Sequence, residues 1–346
     1  FRNVTGVQTC ALPIYFANAG GKIVDIDHIV ITHAHNDHTN DFESLMTLLY
    51  QYNRENKEAA KKIKVFMNVG SFKKFSGFLD LRGCDYFEGI YPLTQGAAFD
   101  LGNGLTLTAL PAYHDEVISK QYAVGIFLSF KMDGEDRHII FSSDTGLFPQ
   151  KKKGDEDVAD TDASEVHTLY KPYIEGKTIH LLVPHLGSIK EKEIKTSIET
   201  KADEAFYPNH LGALGTIRLI TEIKPHLAVV SEFGEELREF RADLATLLRG
   251  AVEKFFGNAP DIPRVLPGDL PLVYDIRNEQ IFCVLGERMV DYRKIGARLL
   301  QLRGKKSYTD CFFYYNEGMR KKIDKLEGFC KAFIDKLESN EAPYLK

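Results

Sequence analysis

Apolar residues along the chain alternate between strand-like runs and helical stripes, and this alternation predicts most of its elements. Residues 23–32 are rich in isoleucine and valine and predict a buried strand. Phe42, Leu45, Met46, Leu49 and Tyr50 then recur at helical spacing and predict a helix over Phe42 to Tyr52. A strand at Ile63 to Met67 and a helix from Ser71 follow, and strands dominate from Asp85 to Ser143. Ile179 to Val183 reads as a further buried strand. A helix from Leu214 to Ile223 feeds the strand Leu227 to Val230, and a long helix runs from about Glu235 to Phe256. Arg264 to Tyr274 and Gln280 to Leu285 predict a closing hairpin. Beyond Gly286 the pattern becomes helical, with Ile323, Leu326, Phe329, Cys330, Phe333 and Ile334 on one stripe. That stripe packs on the core or on a partner subunit, which leaves a homo-oligomer open. Strands alternating with helices point to the mixed α/β class.

The strand over 23–32 runs straight into His33-Ala-His35-Asn-Asp37-His38. A single histidine in a polar turn is ordinary. Three imidazoles and a carboxylate within six residues of a strand end supply the nitrogen and oxygen ligands that first-row metals take. His33 and His35 can face one ion while Asp37 and His38 turn to a second. Two later strand ends repeat the pattern: His114 follows the run from Leu105 to Leu110, and Asp144 follows Ile139 to Ser143.

His33-x-His35-x-Asp37-His38, with His114 and Asp144 following in order, resembles the metallo-β-lactamase superfamily over roughly residues 22–285. The layout is most similar to its tRNase Z-like and phosphodiesterase members. The resemblance implies an αββα sandwich with its metals on loops at one edge. It implies two divalent ions, zinc first and manganese or iron next. His33, His35 and His114 would hold one ion, Asp37 and His38 the other, and Asp144 would bridge them. Two such ions, about 3.5–4 Å apart, share a hydroxide and hold both oxygens of an in-line displacement. The family's late histidine ligand is replaced by Glu232, a harder ligand that shifts preference toward manganese, iron or magnesium. His210 matches the family histidine that acts on the leaving group, and His185 stands where that histidine's acidic partner would be. A protonated imidazole there donates to the leaving oxygen, an effect of roughly 10²–10⁴-fold. His28 reads as a packed histidine. The missing acidic partner, the Glu232 replacement and the lack of a Gly/Pro-rich tRNA-gripping arm count against tRNA as the substrate.

Composition narrows the reading further. With 44% hydrophobic and 27% charged residues the chain has a soluble globular profile, and no run of about 18 apolar residues suggests a membrane span. A net charge of −5 argues against a general nucleic-acid coat while leaving room for a nuclease. The Lys runs at 61–62, 151–153 and 305–306 are too short for an RNA track. The five cysteines, Cys10, Cys84, Cys283, Cys311 and Cys330, form no CxxC pair, which suits a reducing, cytoplasmic setting. Val4 to Ile14 resembles a translated sequencing adapter, so residues 1–14 are set aside as an artefact. Residues 15–285 then form a hydrolase domain expected to lack its first strands, and 286–346 a helical extension. The expected activity is hydrolysis of a phosphodiester, in RNA, DNA or a cyclic nucleotide. A hydrolase of an ester, lactone or thioester, or a non-catalytic binding member, are the alternatives.

Overall fold

The computed structural model describes residues 21–82, 86–115, 122–149, 164–189, 193, 206–207, 209–234, 237, 241–268, 272–285 and 288–291. Strands β1 (His28–Ile31), β2 (Ile63–Met67) and β3 (Phe87–Pro92) form a parallel sheet in that order. The crossovers between them are helices α1 (Asn36–Glu55) and α2 (Val69–Arg82). A second sheet of seven strands begins with an antiparallel meander of β4 (Ala98–Gly102), β5 (Leu105–Asp115), β6 (Tyr122–Met132) and β7 (Glu135–Ser143). It continues in parallel through β8 (Leu181–Gly187), β9 (Leu227–Phe233) and β10 (Arg264–Pro267). Helices α3 (Val166–Ile174), α4 (Gly212–Ile223) and α5 (Arg241–Phe256) accompany this half.

Side-chain alternation along the strands builds the layers. In β2, Ile63, Val65 and Met67 pack with Phe42, Met46, Leu49 and Phe75 of α1 and α2. Phe66, between them in sequence, points the other way onto Leu107, Val124 and Ile126 of the second sheet. In β5 and β6, Leu110 and Phe127 face a third core with Leu214, Ile217 and Leu248 of α4 and α5. Helices, sheet, sheet and helices thus stack in the expected αββα order. Among the described residues no helix is long and apolar enough to cross a membrane.

Three elements differ from the pattern-based expectation. The first strand covers only His28–Ile31, because Asp25 accepts the Lys22 amide at 2.8 Å and closes Ile23–Asp25 into a 3₁₀ turn. The hairpin is shorter than expected: Arg264–Pro267 joins β9 in parallel, and only β11 (Leu272–Asp275) pairs with β12 (Gln280–Leu285). Pro267 ends its strand, and the Gly268 amide donates to the Val230 carbonyl at 2.6 Å. Beyond residue 286, where helix was expected, β13 (Arg288–Asp291) adds a third strand to that small sheet. The long helix expected from about Glu235 is described over Arg241–Phe256, and before it the Leu237 amide donates to the Gly234 carbonyl. The expectations for residues 1–14, the Lys runs at 151–153 and 305–306, and the stripe from Ile323 to Ile334 lie outside the described residues.

Candidate metal centre

All the strand ends named above meet at one edge of the sandwich. β1 stops at Ile31, and the Thr32 carbonyl accepts the Val124 amide at 3.2 Å, which fastens the His33 loop to the second sheet. His35 is the N-cap residue of α1, so Asp37 and His38 occupy the helix's first turn. A carboxylate is favoured there by the helix dipole. Thr39 Oγ1 donates to the His35 carbonyl at 2.8 Å. Lys74 of α2 reaches the loop as well: its Nζ donates to the Ala34 carbonyl at 2.9 Å, to Asn36 Oδ1 at 2.7 Å, and to Thr39 Oγ1.

From the second sheet, β5 delivers His114, β7 delivers Asp144 and β8 delivers His185. Asp144 is 1% exposed and sits at the centre of the cluster. Its Oδ2 lies 3.5 Å from His33 Nε2, 3.2 Å from His38 Nε2 and 3.8 Å from His114 Nε2. Its Oδ1 lies 3.3 Å from His185 Nδ1 and 3.7 Å from His210 Nδ1. Around Asp144, two groups are tight enough to hold a metal ion, each with its ligand atoms within 4.8 Å of one another: His33, His35, His114 and Asp144, and His38, Asp144 and His185. Asp144 belongs to both, the position a bridging carboxylate needs.

The donor atoms suit a cation. His33 Nε2, His38 Nε2 and His210 Nδ1 are buried without a hydrogen-bond partner, a costly state for polar atoms. His114 Nδ1 donates to the Asn209 carbonyl at 2.8 Å, which leaves its Nε2 lone pair facing His35 Nδ1 at 3.0 Å. Two imidazole ligands on one tetrahedral zinc would stand about 3.3 Å apart, so the spacing is close to that of a shared ion.

A family model described as the beta-lactamase superfamily domain matches residues 7–230. The chain belongs to the metallo-β-lactamase superfamily. Among solved structures it is similar to the metallo-β-lactamase fold protein YhfI from Bacillus subtilis, at 12% identity and a TM-score of 0.47 over 70% of this chain and 79% of that one. It is also similar to the short form of human tRNase Z, at 14% identity and a TM-score of 0.45 over 67% of this chain and 82% of that one. No curated protein matches it in sequence. At these values the likenesses carry no argument about substrate.

In this metallo-β-lactamase relative the remaining expected residues fall as follows. Asp37 is more than half exposed, with Oδ2 3.8 Å from His38 Nε2. Glu232 is buried at the end of β9 with φ +52°, a left-handed conformation unusual for a non-glycine residue. Among the described residues neither joins a group of metal-holding tightness. His185 does, although its sequence position suggested a role on the leaving group. His28 lies in β1 against the Phe66 ring, outside both groups. Lys74 and the Asn209 carbonyl carry no sequence signal of their part in the centre, since each acts on a loop distant along the chain.

Electrostatics follow from burial and from Asp144. Burial, helped by His38, pushes His33 down to about 3, so its ring is neutral and its lone pair free. Burial would lower His38 too, but the charge of Asp144, with those of Glu232 and Asp37, carries it up to about 9. Burial would raise Asp144, yet His38, His185 and His33 hold its carboxyl well below the usual range. Burial raises Glu232 and lowers His210.

These shifts set a pH optimum for the metal-free fold. His33, and His180 at about 4, have folded values below the ordinary 6.5, so their stabilisation is present above pH 6.5 and lost as pH falls below it. His38 has a raised value, so its contribution is complete below pH 6.5 and lost as pH climbs through about 9. Thermal melts of the chelated protein are therefore expected to peak near pH 6.5 and to drop at both pH 5 and pH 9. A midpoint that is flat or still rising at either end would contradict these assignments.

Proposed function

We propose that this chain is a dinuclear metal-dependent hydrolase acting on phosphodiesters. One observation carries the reading: imidazoles from both sheets turn onto a single buried carboxylate, Asp144, and two of them leave their nitrogens otherwise unpartnered. His33, His35 and His114 would hold one ion. His38, Asp144 and His185 would hold the other, with Asp37 and Glu232 beside it. Imidazole-rich donors suit zinc, and the neighbouring carboxylates extend the choice to manganese or iron. Bound there, divalent ions supply Lewis acidity and a water made nucleophilic at neutral pH.

The chain's own residues supply the rest. Asp144 fixes the orientation of the imidazoles around it. His210 is 22% exposed, with Nδ1 turned toward Asp144 Oδ1, and is placed to hold a proton for a leaving oxygen. Burial lowers His210 on balance, and the Asp144 charge opposes that effect.

Gly187 sets the position of His210. A Cβ at this residue, which has φ +70°, would stand 2.5 Å from the His210 Cγ. Gly187→Ala is therefore expected to displace His210 and to lower turnover by about 10²-fold with metal content unchanged. Full activity in that variant would remove His210 from the reaction.

One observation favours a second reading. Burial lowers His210, which suits a leaving group that needs no proton, such as the thiolate of a thioester. The two are separated by assaying a chromogenic phosphodiester and an acyl thioester after chelation and re-addition of zinc or manganese. Metal-restored phosphodiester turnover is expected. Thioester turnover alone would support the second reading, and neither activity in the metal-loaded protein would leave a binding role.

A further inference from the structure

A second cluster of metal-type ligands lies at the opposite end of the main sheet. His180 immediately precedes β8 and His226 immediately precedes β9, so both stand where these parallel strands begin. Five residues of strand separate His180 from His185, about 16 Å along β8. Glu279 comes from the turn between β11 and β12. One ligand atom from each of His180, His226 and Glu279 lies within 4.8 Å of the others. His226 Nδ1 meets Glu279 Oε1 at 2.7 Å, and the His180 and His226 rings are 5.1 Å apart.

We propose that His180, His226 and Glu279 form a structural metal site that fastens the small β11–β12–β13 sheet to the base of the main sheet. Two imidazoles and one carboxylate are a zinc-type donor set, with water as the fourth ligand. The site is built on held backbone. His180 is buried, its amide donates to the His138 carbonyl at 3.0 Å, and its Nδ1 meets the His138 amide only at a long 3.3 Å. The turn that presents Glu279 is closed by Asp275, whose carboxylate accepts from the Arg277 amide and from Asn278 Nδ2. Glu279 itself has φ +53°, and Arg264 Nη1 donates to its carbonyl at 3.0 Å. Strained residues persist where their surroundings hold them, often at ligand clamps.

Nearby cations are engaged elsewhere. Arg137 pairs with Glu135 at 2.6 Å, and Arg264 lies over the Tyr274 ring. His180 is also held neutral near pH 7 by burial and by His226, so its lone pair is available to an ion.

The experiment compares the full chain with His226→Gln and Glu279→Gln, both partly exposed positions where the change leaves packing intact. Each protein is loaded with zinc, desalted and assayed for zinc per chain, and amide exchange is followed over Leu272–Leu285. The expected result is one zinc fewer per chain in each variant, with hydrolytic activity unchanged and zinc-dependent protection of the hairpin lost. Because the readout is a difference, it does not depend on the centre around Asp144. If that centre held no metal, the full chain would carry one zinc and the variants none. Equal zinc content in all three proteins would overturn the proposal.

Discussion

Asp144→Asn is expected to abolish hydrolysis while leaving the chain folded. The carboxylate lies within 3.8 Å of nitrogens from His33, His38, His114, His185 and His210, so one side chain organises five rings. An amide of the same shape keeps the packing but removes the negative charge. It also turns two N–H donors toward imidazole nitrogens that need an acceptor or an ion. His38 loses the main group that holds its proton and falls from about 9. With the charge gone, two cations would face each other across a neutral amide, and metal content should fall with activity. Losing one stabilising group at a reacting centre commonly costs 10²–10³-fold, and Asp144 serves both metal groups, so a drop of at least about 10³-fold in kcat/KM is expected. Metal content and turnover are the readouts, with a melt to confirm folding. Retained turnover would end the bridging role.

The largest expected loss of stability comes from the layer between the sheets. Phe66 is 1% exposed, stacks on Tyr91 at 4.9 Å and meets Phe99 edge-on at 5.1 Å. Phe66→Ala removes this ring from a closed space that β2 and the second sheet cannot easily fill, at a cost of about 3–5 kcal/mol. Against a typical domain stability of about 5–15 kcal/mol, that is a large fraction of the whole. The denaturation midpoint should fall accordingly, with the slope unchanged. A loss below about 1 kcal/mol would mean that the sheets close over the gap, and that the sandwich is looser than its packing indicates.

Both predictions concern features that were partly legible in the sequence. The His33–His38 motif could be read because its ligands are contiguous, and a strand followed by a helix start forces them to one place. His114 and Asp144 could be read because each ends an apolar run. The first strand was overestimated because Asp25 draws its own turn from the Lys22 amide, a local bond that apolar spacing does not register. The hairpin was misjudged because a short strand looks the same in sequence whether it pairs with its sequence neighbour or, as β10 does, with β9. The place of His185 was hidden for a different reason. Its partners His38 and Asp144 lie on other elements, and only the parallel register of β7 with β8 puts the three together. The cluster of His180, His226 and Glu279 was hidden in the same way, spread over three segments with no motif to link them.

The centre around Asp144 draws His33, His35 and His38 from the end of one sheet and His114, Asp144 and His185 from the other. Beside the cluster, Ser143 Oγ donating to Thr32 Oγ1 at 2.7 Å joins the Val124–Thr32 backbone bond in tying the two contributions. The bite between the two half-sets is therefore governed by how far apart the layers stand. A methyl group gained or lost at Leu107 or Ile126, buried in the layer between the sheets, would widen or narrow that bite. Reactivity in such a chain can drift through its hydrophobic interior while every residue that touches the substrate stays the same.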